Sequence, residues 1–69
     1  MKTTRAYLRD NNGLEIINIL IDENNVICDA GGYPMTPTDE HVDLLGWPDD
    51  RARVYNNDGG REILVPVSG

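Results

Sequence analysis

The chain is poor in several things that proteins use for chemistry. Among 69 residues it has one cysteine, one histidine and no phenylalanine. A lone Cys28 excludes a disulfide framework and a cysteine-rich zinc site. Within its apolar stretch Cys28 has no neighbouring base to lower its pKa, so it reads as a small buried hydrophobe rather than a nucleophile. No apolar run approaches the roughly 20 residues of a membrane span, and Met1 to Asp10 holds no uninterrupted apolar core of a signal peptide. The expectation is a soluble, cytoplasmic protein that makes no membrane contact. Twelve acids against six bases give a net charge of -6, which opposes direct binding to nucleic acid and calls for a basic partner. A chain this short buries only about 60% of its unfolded surface, enough for one domain over residues 1–69.

What the chain does have is punctuation. Seven glycines, four prolines and seven asparagines supply the special φ values that turns require. A first strand over Thr3–Arg9 meets Asp10-Asn11-Asn12-Gly13, where Asn12-Gly13 predicts a type I′ hairpin turn. The second strand, Leu14–Ile21, holds four isoleucines and is expected at or near the centre of the sheet. Its Ile17, Ile19 and Ile21 point one way, and its Leu14, Ile16 and Leu20 the other, so both faces need cover. The polar turn Asp22-Glu23-Asn24-Asn25 leads to a third strand over Val26–Ala30. Thr36-Pro37-Thr38-Asp39-Glu40 then offers a capping threonine, a proline at the first helical position and acids in the first turn. This predicts a short helix over Pro37–Leu45, closed by Gly46 and stopped by Trp47-Pro48. Arg53-Val54-Tyr55 reads as extended, residues 56–60 as a turn, and Arg61–Val67 as a last strand, at an edge or ending near Pro66. The expected fold is α+β: a single antiparallel sheet in β-β-β-α-β-β order with one short helix packed on it.

Charge layout is the most informative feature. Asp10 to Asp50 contains ten acids and no lysine or arginine, and all six bases lie outside it. On the predicted helix, Asp39, Glu40 and Asp43 stand three or four residues apart, which sets their Cβ atoms about 5–6 Å from one another. Asp49 and Asp50 extend that surface, and Asp22 and Glu23 add two further carboxylates, so these seven acids together with Trp47 are the candidate partner-binding residues. The bland alternative is a solvated acidic surface. Trp47, at the helix end, reads either as a lid on the core or as an anchor for a partner. His41 lies among acids that helical spacing does not bring to one face, so no metal is expected and the ring packs beside Leu44 and Leu45. Gly31-Gly32 and Gly59-Gly60 lack the residues of a phosphate cradle. The two Asp/Asn-rich turns lack the ligand run of a calcium loop. The reading is a protein with no enzymatic activity and no cofactor.

A small, acidic chain of this kind, with the base-free stretch Asp10–Asp50, the acidic segment Thr36–Leu45 and the trailing Trp47-Pro48-Asp49-Asp50, resembles the small phage-encoded anti-CRISPR proteins in general character, with no motif in common. The resemblance implies a stoichiometric inhibitor acting in a bacterial host cell. Such a protein occupies the basic nucleic-acid-binding surface of a defence effector, in part by DNA mimicry. The competing reading is a small homodimeric regulatory, immunity or antitoxin-type protein-binding module that uses the second apolar face of strand two. The chain is accordingly expected as a monomer or a homodimer.

Overall fold

The computed structural model describes residues 1–57 and 59–67. Asp58, in the turn expected at 56–60, lies outside the described residues, as do Ser68 and Gly69. Six strands form one antiparallel sheet: β1 Lys2–Asp10, β2 Gly13–Ile21, β3 Ile27–Cys28, β4 Thr36–Asp43, β5 Arg51–Asn56 and β6 Glu62–Pro66. Their order is β3-β2-β1-β6-β5-β4, and the sheet curls into a half-barrel. The architecture is all-β with no helix among the described residues, which overturns the α+β expectation.

The correction falls on the segment expected as a helix over Pro37–Leu45. Residues 36–43 form β4, paired with β5 at the sheet edge. A nine-residue helix is marginal in water without a good apolar stripe, and here Val42 and Leu44 would lie on opposite sides of it. In a strand they share a face, and both join Tyr7, Ala52, Val54 and Leu64 in one apolar cluster. Pro37 is tolerated because β4 is an edge strand. A register shift between Pro37 and His41 breaks the ladder. There the Thr38 hydroxyl donates to the Val54 carbonyl at 2.8 Å and accepts from the Glu40 N–H at 3.1 Å.

Strand β2 is not central either. It lies second from an edge, and β1 and β6 occupy the middle. Ile63, Leu64 and Val65 of β6 are all buried, as a central strand covered on both faces requires, whereas Ile16 of β2 is 50% exposed. Pro66 ends β6 opposite Ala52. The two sides of the sheet carry separate cores. Ala6, Ile19, Ile63 and Val65 pack with Met35 on one; Tyr7, Ala52, Val54 and Leu64 pack with Leu44 on the other. The β2 register, Ile17 opposite Ala6 and Ile16 opposite Tyr7, reproduces the expected division of its side chains.

Four turns share one chemistry. Asp10, Asp22, Asp29 and Asn57 each accept a backbone N–H on a side-chain oxygen. Three residues on, a positive φ appears, at Gly13, Asn25, Gly32 and Gly60. Such Asx turns let the side chain stand in for backbone. At the first hairpin the positive φ falls on Gly13 alone, not on Asn12 as a type I′ turn needs. After β3, Met35 donates to the Ile27 carbonyl at 3.0 Å, and the next residue, Thr36, pairs with Asn56. This chain link brings the start of β4 beside β3 and closes part of the curl.

Candidate functional site

Two regions hold the charged residues that sequence reasoning singled out, and they differ in kind. The first is built on β1, β4, β6 and the loop 44–50. That loop is pinned by Leu44 N–H to the Asp50 carbonyl at 2.8 Å and by Trp47 N–H to the Leu44 carbonyl at 3.0 Å, with Gly46 at φ 88°. It folds over the Tyr7 side of the sheet, so that Trp47 meets Tyr7 edge to face with ring centroids 5.6 Å apart. Asp49 Oδ2 accepts from Arg5 Nε at 2.9 Å and from the Tyr7 hydroxyl at 2.6 Å. The Arg5 hydrogen bond, followed by the one from Tyr7, holds the Asp49 carboxyl below its usual range. Burial, with the Asp49 contact behind it, raises the Tyr7 phenol. Arg9 reaches Glu62 at 2.8 Å and Glu40 at 3.3 Å, and its hydrogen bond lowers the Glu62 carboxyl. Arg53 lies 3.9 Å from Asp39.

This region therefore dismantles much of the expected acidic face. Strand alternation puts Asp39 and Asp43 on one side of β4 and Glu40 on the other. Asp39, Glu40 and Asp49 are engaged by arginines. Asp43 stands opposite Arg51 in the register, and Asp50 is exposed beside it with no ion pair among the described residues. Trp47, 36% exposed, serves as a lid over Tyr7 while keeping one edge in solvent. His41 is exposed rather than packed beside Leu44 and Leu45.

The second region is the flank formed by β2, β3 and their turns. Asp22 and Glu23 sit in the β2–β3 turn. The structure adds three acids of the base-free stretch that were not among the candidate partner-binding residues: Asp10 at the first hairpin, Glu15 on β2 and Asp29 after β3. None of the five has an ion pair with lysine or arginine among the described residues. Three of them are fixed by their own turns, since Asp10 holds Asn12 N–H, Asp22 holds Asn24 and Val26 N–H, and Asp29 holds Gly31 and Tyr33 N–H. A carboxylate that caps a turn keeps spare lone pairs for a further donor. Burial, and behind it the charges of Asp22 and Asp29, raises the thiol of buried Cys28. A signal for Asp10, Asp22 and Asp29 existed in the repeated Asx-x-x-Gly/Asn spacing of the turns.

A cleft of about 370 Å³ opens on the same flank. Apolar Leu8, Ile17 and Ile63 and charged Glu15, Asp29 and Arg61 are among its lining residues. Among the described residues no group of three His, Cys, Asp or Glu side chains is placed to hold a metal ion. The chain matches no protein-family model, no curated protein and no solved structure.

Proposed function

We propose that the protein is a non-enzymatic, inhibitor-type binding module that meets the basic surface of a protein partner with the β2–β3 flank. The observation that carries this reading is the uneven compensation of charge. On the β4–β6 side, Asp39, Glu40, Asp49 and Glu62 are paired with arginines, whereas Asp10, Glu15, Asp22, Glu23 and Asp29 hold no such partner among the described residues. Carboxylates fixed by their own turns are preorganised, so presenting them to a partner costs little side-chain entropy. A one-sided negative field speeds encounter with a positive surface and sets its orientation. The likeness to small phage-encoded anti-defence proteins narrows that surface to the nucleic-acid-binding groove of a bacterial effector.

The test compares two double reversals against the partner captured from bacterial cytosol by the tagged protein. Glu15→Lys with Glu23→Lys disturbs no hydrogen bond of the fold and should weaken binding steeply. Asp39→Lys with Asp43→Lys acts on the far strand and should weaken it much less. If the second pair does the greater harm, the contact lies on β4 as helical spacing first suggested. Equal indifference to both pairs and to salt removes the electrostatic reading altogether.

A further inference from the structure

The same flank contains an unfinished sheet. β2 is nine residues long, yet β3 pairs only with Leu20 and Ile21. Gly13 to Ile19 therefore present the outward-facing half of their backbone N–H and C=O groups without a sheet partner among the described residues. Natural sheets protect such edges, and the opposite edge of this one is protected: β4 carries Pro37, a register break and three acids. The β2 edge has none of these devices except Glu15. Beside it lies the cleft lined by Leu8, Ile17 and Ile63 together with Glu15, Asp29 and Arg61, two acids against one base.

We infer that the open edge of β2 from Leu14 to Asn18 accepts an extended, cationic segment of the protein partner as an added strand. Main-chain hydrogen bonds to β2 supply the affinity of such an addition, and pockets for alternate side chains supply its specificity. An added strand continues the line of β3 along β2. Every second side chain of it then faces the cleft side of β2, so an apolar residue meets Ile17, and its neighbours two positions away approach Glu15 and Asp29, which line the same cleft. Those neighbours should be lysine or arginine. The charge also selects against a second copy of this chain as the occupant. Self-pairing along β2 brings two acidic flanks together, and like charges facing each other across an interface are costly. This inference rests on the acidic-flank reading and adds to it the backbone as the recognition element.

The probe is the peptide acetyl-Lys-Thr-Val-Thr-Lys-amide, which places lysine, valine and lysine on one side of an extended strand. Two analogues carry N-methyl groups, one on the first, third and fifth residues and the other on the second and fourth. Charge and side chains are the same in all three, but each analogue loses the donors of one edge. Nuclear magnetic resonance titration of the folded protein should show amide shifts confined to Leu14–Asn18 and the cleft. One analogue should bind at least about tenfold more weakly than the parent peptide, since several hydrogen bonds are lost, while the other binds as the parent does. Equal, salt-sensitive binding of all three overturns strand addition and leaves the acidic-flank reading standing. No binding by any of them overturns it as well. Sedimentation as a dimer, with the same amides protected from exchange without peptide, assigns the edge to a second copy and overturns it too.

Discussion

At the scale of single residues, the contact among Tyr7, Asp49, Arg5 and Trp47 ties the loop 44–50 to the sheet, and its protonation has a defined sign. Asp49 is held below its ordinary pKa by Arg5 and then by Tyr7. Its stabilising share is therefore present above the unfolded carboxylate value and drains away as pH falls through the lower folded one. Tyr7 is raised, by burial first, so its share is present below the unfolded phenol value and is lost as pH rises through the raised one. Tyr7→Phe should cost about 1 kcal/mol at neutral pH, flatten the alkaline limb of the stability profile and shrink the acid limb without removing it, because Arg5 still holds Asp49 down. Urea titrations across pH measure this, and an unchanged alkaline limb would assign that limb to other groups. Ile19, 1% exposed, is the simplest core test. Ile19→Asp places an unpaired charge among Ala6, Met35 and Val65 and should abolish the cooperative melt seen by circular dichroism. The burial of Ile19 was legible from alternation along strand two. The Asp49–Tyr7 contact was not, because the two residues lie 42 positions apart and nothing local in either announces the other.

At the scale of elements, turns were far easier to read than the segments between them. Asp10-Asn11-Asn12-Gly13 and Asp22-Glu23-Asn24-Asn25 are turns because their side chains bind their own backbone, a chemistry confined to four or five residues. The segment Thr36–Asp43 obeyed a different authority. Its threonine, proline and first-turn acids match a helix start, yet β5 needs a partner at its outer edge, and tertiary pairing overrode the local signal. The alternation of polar and apolar side chains in His41-Val42-Asp43-Leu44 was the competing clue. Far-UV circular dichroism should accordingly show a strand spectrum without a helical component, and a helical component would restore the α+β reading. The loop after β4 depends on Gly46, whose φ of 88° is open to glycine and strained for other residues. No atom crowds a Cβ built there, so Gly46→Ala isolates the backbone term and should cost about 1–2 kcal/mol. Thermal melts measure it, and an unchanged midpoint would mean that the loop relaxes to another turn.

At the scale of the whole molecule, the net charge of -6 could be counted directly, but its distribution could not. Base-free sequence from Asp10 to Asp50 suggested one continuous acidic face. Antiparallel pairing instead carried Arg5, Arg9 and Arg53 across the chain to Asp49, Glu40, Glu62 and Asp39, leaving Asp10, Glu15, Asp22, Glu23 and Asp29 on the β2–β3 flank without an ion pair among the described residues, with Arg61 the one base in the cleft lining they share. Exposed charges are screened over about 10 Å at 0.1 M salt, so binding through this flank should weaken as salt rises while the fold, held by two apolar cores, changes little. The most direct measurement is displacement of nucleic acid from the captured partner, followed by fluorescence of a labelled oligonucleotide as the protein is added. The parent protein should release the oligonucleotide at stoichiometric concentration, and the Glu15→Lys, Glu23→Lys protein, equally stable, should fail to do so at the same concentration. A partner that holds oligonucleotide and protein together, or that releases the oligonucleotide equally to both proteins, contradicts the proposal that the β2–β3 flank is the binding surface.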